Sequence, residues 1–108
     1  MAEAVTRQAE EFLAQNLESP VSLSDAVILV GTSTRSLLRA FQKRRGTSPM
    51  AFRRRRRFEA ARRDLFLADP GETSVTMIAG RYCFDHLGRF AGDYRALFGE
   101  SPSETLRR

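Results

Sequence analysis

The chain has 108 residues, of which 42% are hydrophobic, and a formal net charge of +5 at pH 7. This length allows one domain with a modest core, and the apolar content excludes a wholly disordered chain. The chain has a single cysteine, which excludes an intramolecular disulfide. With only one histidine beside it, the usual ligands of a metal site are lacking, and we expect no cofactor. The acidic start lacks the apolar run of a signal peptide, and the longest apolar stretch, 26–30, is far too short to cross a membrane. We therefore expect a cytoplasmic protein without a membrane contact.

The basic residues are concentrated in one segment. Residues 1–30 contain one arginine and five acids, whereas residues 31–57 contain ten basic residues and no acid. Residues 58–108 contain seven arginines and eight acids. Such a block indicates a polyanionic partner, and a solvated charged face is the alternative at this point.

Cap residues and apolar spacing predict the first three helices. One stripe of apolar side chains marks the first helix: Val5, Ala9, Phe12 and Leu13. Ser22 and Asp25 have the spacing of a capping box for the second helix, which should end at Gly31. Ser33 is the expected N-cap of the third helix, and Gly46 should end it.

The fourth predicted helix contains five consecutive arginines. Ser48 and Pro49 have the residue types of an N-cap and a first helical position, and the sequence DPGE at 69–72 should end the helix. An inward side is expected from apolar residues at helical spacing: Phe52, Phe58, Ala61, Leu65 and Ala68. Five consecutive residues cover more than one turn, so the arginines at 53–57 cannot all face one partner.

Three more helices are predicted in the last third of the chain. Thr73 or Ser74 should cap the fifth helix, and Asp85 should cap the sixth. Ser101 and Glu104 have capping-box spacing for a short seventh helix. The chain is therefore predicted to be all-α, with seven helices and no strand.

An internal repeat supports this organisation. The motif G-x-S-P follows a helix at 46–49 and again at 99–102, and before each motif lies a short helix, a tight turn and a longer helix. Ser33 matches Asp85 at a separation of 52 residues, whereas Leu37 matches Phe90 at 53. Two such units indicate two helix-turn-helix modules.

Three stretches of this chain resemble the DNA-binding domain of AraC-type (AraC/XylS) transcription regulators. They are GTSTRSLLRAFQKRRGTSPMAF at 31–52, RFEAARRDL at 57–65 and, most specifically, 74–108 with its aromatic-bearing turn and final G-x-S-P. The resemblance implies a bacterial transcription regulator and extends over about residues 5–108.

The resemblance also implies a domain organisation and a mode of binding. Two helix-turn-helix subdomains, 1–47 and 70–108, would be joined by a long linker helix at 48–69. Recognition helices at about 33–45 and 85–98 would enter adjacent major grooves of double-stranded DNA at a promoter or operator. A linker of this length spans about 30 Å, close to the distance of about 34 Å between major grooves on one DNA face.

The first recognition helix contains the main candidate base contacts. Leu37 and Phe41 are expected to face the core. Arg35 and Arg39 lie four residues apart on one face, and an arginine can donate two hydrogen bonds to guanine O6 and N7. We expect both to contact bases, with Leu38 beside them against a base. Contacts with the DNA backbone or the groove rim are expected from the polar neighbours: Ser36, Gln42, Lys43, Arg44 and Arg45.

The second recognition helix has fewer candidates. Phe90 and Tyr94 should anchor it, while glycines occupy family positions that often carry contacting side chains. Arg89 is the expected base contact, and His86 near the helix start is expected at a phosphate or a base. We interpret this helix as one that mainly positions the protein. Cys83 stands where the family usually has a glycine, so a left-handed conformation there would cost about 1–2 kcal/mol.

We expect the arginines of the linker helix to have different roles. Arg54, together with Arg53 and Arg55, is a candidate for phosphate contacts. Arg57 matches a family arginine and is expected to pack and bond locally, and Arg56 should lie along the core.

Other functions have less support in the sequence. No catalytic triad, phosphate loop or metal-ligand spacing supports an enzyme. Two other functions remain as alternatives. One is a basic protein that binds DNA or RNA nonspecifically, and the other is a helical module that binds an acidic protein partner. The resemblance further implies contact with RNA polymerase and, if this is a fragment, a separate sensing or dimerisation domain, for which 108 residues leave no room.

Overall fold

The computed structural model describes residues 2–108, which form seven α-helices and no strand, as predicted. Their bounds are α1 Ala2–Gln15, α2 Leu23–Val30, α3 Thr34–Arg45, α4 Pro49–Leu67, α5 Val75–Arg81, α6 Leu87–Phe98 and α7 Pro102–Leu106. The chain divides into two compact units: unit 1 extends to Arg56, and unit 2 runs from Arg57 to Arg108. No helix within residues 2–108 is long and apolar enough to cross a membrane.

Unit 1 packs α1, α2 and α3 around a small apolar core. The buried members of this core are Ala9, Leu13, Ala26, Leu37 and Phe41, with Val5, Phe12 and Phe52 partly buried against them. The Phe41 and Phe52 rings meet edge to face with centroids 5.6 Å apart. The apolar stripe of α1 and the inward side of α3 are therefore confirmed.

Unit 2 has an aromatic core. Phe58 stacks with Phe90 at 5.4 Å, and Phe84 lies against both rings at 4.6 and 4.7 Å. Tyr94 extends the cluster, and its buried hydroxyl lies 2.7 Å from the Thr105 hydroxyl. Aromatic pairs at these distances each contribute about 0.5–1.5 kcal/mol beyond the area they bury.

Most predicted caps are confirmed. Ser22 and Ser101 form complete capping boxes with Asp25 and Glu104. Single caps and glycine ends also agree with the sequence: Ser33, Ser48, Ser74, Gly31, Gly46 and Gly99. These local hydrogen bonds satisfy backbone groups that helix ends leave without partners.

One predicted cap is wrong, because His86 and not Asp85 caps α6. The left-handed residue of the first unit's turn, Gly31, precedes the cap Ser33 by two residues, whereas Cys83 precedes His86 by three. The second turn is thus one residue longer. This insertion explains why the repeat changes from a separation of 52 residues to 53.

Candidate nucleic-acid interface

Helix α3 is fixed in unit 1 by one buried face and by a cap at each end. Leu37 and Phe41 are fully buried, and Ser33 Oγ accepts a hydrogen bond of 3.0 Å from the Ser36 amide. Gly46, with φ of 69°, closes the other end by donating its amide to the Gln42 carbonyl. The outward side chains therefore project from a well-defined helix.

The outward face of α3 is basic and exposed. Arg35 and Arg39 lie one turn apart on this face, and neither forms an ion pair or a side-chain hydrogen bond with another residue of 2–108. Leu38, beside them, is 38% exposed. The remaining predicted contacts of this face are also exposed: Ser36, Gln42 and Lys43. Donors of this kind can reach base edges or phosphates.

The end of α3 is attached to α1 by an ion-pair network that the sequence did not suggest. Arg45 donates from Nε and Nη2 to both carboxylate oxygens of Glu10, at 2.6 and 2.9 Å, and from Nη2 to Glu3 at 3.1 Å. Arg44 lies 3.9 Å from Glu3. The hydrogen bonds that Arg45 donates to Glu10 and then to Glu3 raise the pKa of Arg45, and the bond with Arg45 lowers the pKa of Glu3. Any phosphate contact of Arg45 has to compete with these carboxylates.

In unit 2, α6 starts at His86 with an imidazole cap. Nδ1 of His86 accepts a hydrogen bond of 3.3 Å from the Arg89 amide. Because Nδ1 is the acceptor, a neutral ring has its proton on Nε2, and the residue is exposed. The Arg89 side chain is exposed as well. Both predicted contacts of α6 therefore lie in its first turn.

Asp64 of α4 holds α5 in place within unit 2. Its Oδ2 accepts hydrogen bonds from the Tyr82 hydroxyl and, at 2.8 Å, from Arg81, while Arg63 lies 3.2 Å from Oδ1. Burial acts to raise the pKa of Asp64, but the hydrogen bonds from Tyr82, Arg81 and Arg63 outweigh it and lower the pKa. This carboxylate positions the short helix that precedes the second turn.

The five consecutive arginines have different environments. Arg53 is 2% exposed and donates to the carbonyls of Asn16, at 2.9 Å, and Ser19. A phosphate contact of Arg53 is therefore wrong, because its guanidinium is buried and donates to carbonyls of the segment that follows α1.

The other four lie nearer the surface. Arg54 and Arg55 are exposed. The Arg56 guanidinium lies 5.2 Å from the Phe52 ring, and that of Arg57 lies 5.8 Å from the Phe84 ring, which agrees with the local packing expected of both.

Two short helices, each followed by a turn and a capped longer helix, define a protein with two helix-turn-helix units. A family model described as a helix-turn-helix domain matches residues 28–108. The solved structure of a probable AraC family transcriptional regulator from Rhodopseudomonas palustris is 42% identical, with a TM-score of 0.87, over 97% of this chain and 96% of that one. The chain belongs to the AraC family of helix-turn-helix transcription regulators, whose members are not enzymes.

The chain is also similar to a curated regulatory protein and to a DNA-binding domain solved with DNA. The probable thc operon regulatory protein of Rhodococcus erythropolis is 44% identical over 103 residues, which are 95% of this chain and 31% of that protein. The chain thus spans about a third of this curated relative. The DNA-binding domain of AdpA, solved in complex with a target DNA, is 22% identical with a TM-score of 0.82, over 94% of this chain and 89% of that one. At that identity the likeness concerns the fold.

Proposed function

We propose that this chain binds double-stranded DNA in a sequence-specific manner through α3 and α6 and thereby regulates transcription. The observation that carries the proposal is the exposed pair Arg35 and Arg39 on a helix whose opposite face is fully buried. Rigid presentation of two arginines one turn apart suits bidentate contacts with guanine. The AdpA domain, of the same fold, bound its own target DNA in the crystal.

Within this proposal the predicted side chains have separate roles. Arg35, Leu38 and Arg39 of α3 and Arg89 of α6 contact bases. Contacts with phosphates or with the groove rim come from the surrounding polar residues: Ser36, Gln42, Lys43, Arg44, Arg45, Arg54 and His86. Phosphate contacts fix register without specifying sequence, so the two sets should respond differently to substitution.

A nonspecific nucleic-acid-binding protein is the second candidate, supported by the ten basic residues at 31–57. The paired helix-turn-helix units favour the specific function, because a nonspecific electrostatic contact has no need of two capped recognition helices. As a regulator the chain would act in the bacterial cytoplasm, where the chromosome lies. Its contact with RNA polymerase and its connection to a sensing or dimerisation domain belong to the proposal.

Arg35→Ala and Arg39→Ala test base readout. After a cognate site has been selected from a random duplex library, each variant should lose about 1–3 kcal/mol of binding free energy on that site. It should also accept other bases at one position, because the donor that distinguished them is gone. Titration of cognate and random duplexes by fluorescence anisotropy measures both effects. Equal losses on the two duplexes would contradict base contact by these residues.

A further inference from the structure

The two recognition helices can be aligned residue by residue by their own structural landmarks. The N-caps Ser33 and His86, the buried pair Leu37 and Phe90, and the C-caps Gly46 and Gly99 are each separated by 53 residues. Phe41 and Tyr94, both fully buried, have the same separation. Because both ends and the buried face agree, the outward positions of α3 and α6 correspond one to one.

This correspondence pairs the two arginines of α3 with glycines of α6. Gly88 occupies the position of Arg35, and Gly92 occupies the position of Arg39. All four residues are exposed. The remaining outward arginine of the first turn, Arg89, corresponds to Ser36 and therefore lies off the face that Arg35 and Arg39 define.

Packing within unit 2 does not require these glycines. A Cβ atom added at Gly88 would have only His86 Cε1 nearby, at 3.9 Å, and one added at Gly92 would have no atom within 4 Å. Neither has a positive φ, and a glycine inside a helix costs about 1 kcal/mol relative to alanine. The fold would accept side chains there, yet the outward face of α6 presents none at these two positions.

The net charge is also distributed unequally between the two units. Unit 1, up to Arg56, contains ten lysines and arginines and five acids, whereas unit 2 contains eight arginines and eight acids. The net charge of +5 therefore lies entirely in unit 1. Since attraction to phosphates supplies much of the affinity of DNA-binding proteins, unit 1 has the advantage in affinity as well as in base contacts.

We infer that unit 1 determines the sequence specificity, and that unit 2 binds its half of the site almost independently of sequence. Glycine has no side chain that could bond a base edge, so Gly88 and Gly92 remove the contacts that Arg35 and Arg39 make on α3. Base preference under α6 is limited to the position that Arg89 reaches. This inference rests on the proposed function and identifies which half of the site is recognised.

Substitution of single base pairs in the selected site tests the inference with the unmodified protein. Hydroxyl-radical footprinting defines the protected DNA, and the half-site where Arg35→Ala and Arg39→Ala relax base preference is assigned to unit 1. Each substitution at the positions read by these arginines should weaken binding about 5- to 150-fold. In the other protected half, substitutions should change affinity less than about twofold, except at the position relaxed by Arg89→Ala.

The possible results distinguish a failure of this inference from a failure of the proposed function. Comparable losses for substitutions in both halves would overturn the inference and leave sequence-specific binding intact. If the library yields no preferred site and all duplexes bind equally, the proposed function itself fails. The inference is supported by a base preference that Arg35→Ala and Arg39→Ala relax in one half, with no preference in the other half beyond the position relaxed by Arg89→Ala.

Discussion

Cys83 has a φ of 64°, in the left-handed region where a side chain is strained, and Gly31 has a φ of 75° at the corresponding turn of unit 1. A residue with a Cβ atom in this conformation costs about 1–2 kcal/mol, whereas glycine adopts it freely. Gly31 and Cys83 therefore share a left-handed φ, which costs more at Cys83 than at Gly31.

Cys83→Gly should raise the free energy of unfolding by about 0.5–1 kcal/mol, because relief of the strain exceeds the extra entropy that glycine gives the unfolded chain. Urea denaturation measures the change. Cys83→Ala is the matched control, since alanine keeps the Cβ atom. An equal gain from both variants would show that the backbone conformation is not the source.

Arg53 and Arg54 are neighbours in the sequence with different environments. Arg53 is buried and binds the Asn16 and Ser19 carbonyls, while Arg54 is exposed. A buried donor whose loss leaves carbonyls unsatisfied contributes to folding, whereas an exposed arginine near DNA contributes to phosphate attraction.

Exchange of each for alanine should separate these two roles. Arg53→Ala is expected to lower the free energy of unfolding by about 2–4 kcal/mol, and Arg54→Ala to change it by less than about 0.5 kcal/mol. Arg54→Ala should instead reduce the slope of log affinity against log salt concentration by about one, across all sequences. Chemical denaturation and salt titrations on a random duplex measure the two effects, and a reversed pattern would contradict the assignment.

At the scale of the element, α3 and α6 illustrate how capped helices of equal length can differ in stability. Both comprise twelve residues and end at a left-handed glycine. Helix α6 contains Gly88 and Gly92 in addition, whereas α3 is anchored to α1 through Arg45 and Glu10. We therefore expect α6 to be the less stable recognition helix.

Gly92→Ala should raise the free energy of unfolding by about 0.5–1 kcal/mol, because alanine favours the helix and a Cβ atom there has no neighbour within 4 Å. Gly46→Ala, in contrast, should lower it by about 1 kcal/mol, since Gly46 has a φ of 69°. Thermal and urea unfolding of both variants give the comparison. A loss of stability on Gly92→Ala would mean that the site is more crowded than its open surroundings indicate.

At the scale of the molecule, several carboxylates stabilise the fold in their charged form. Hydrogen bonds with Ser22 and Ser101 lower the pKa values of Asp25 and Glu104, and the network around Asp64 lowers the pKa of that group. A carboxyl whose folded pKa lies below its unfolded value binds protons less readily in the native state. Its stabilising effect is complete above the unfolded pKa and is lost as the pH falls through the folded pKa.

The chain should therefore lose stability below about pH 4.5, with most of the loss beneath the ordinary carboxyl values of 3.8 and 4.5. Thermal unfolding followed by circular dichroism between pH 7 and pH 3 measures the decline. Asp64→Asn, although less stable at neutral pH, should show a weaker dependence on pH. A midpoint temperature that stays constant down to pH 3 would contradict this account.

Much of the fold could be predicted because its signals are local. The serine caps, the left-handed glycines and the apolar spacing act within a few residues, so they predicted seven helices and two helix-turn-helix units. The spacing of Leu37 and Phe41 also predicted the buried face of α3, and the outward face is the side opposite to it. The single cap that was wrong, Asp85, depended on the length of a turn, which spacing alone did not define.

By itself, the sequence determined the helices, the repeat, the family and the concentration of charge, because each of these depends on residue types and their order. Only the tertiary structure decided which arginines are held by distant carbonyls or carboxylates of the protein. Arg53 is buried because the Asn16 and Ser19 carbonyls lie within reach, and Arg45 is held because two α1 carboxylates face it. Those partners are more than thirty residues away in the chain, and no local pattern distinguishes one arginine of a run from the next.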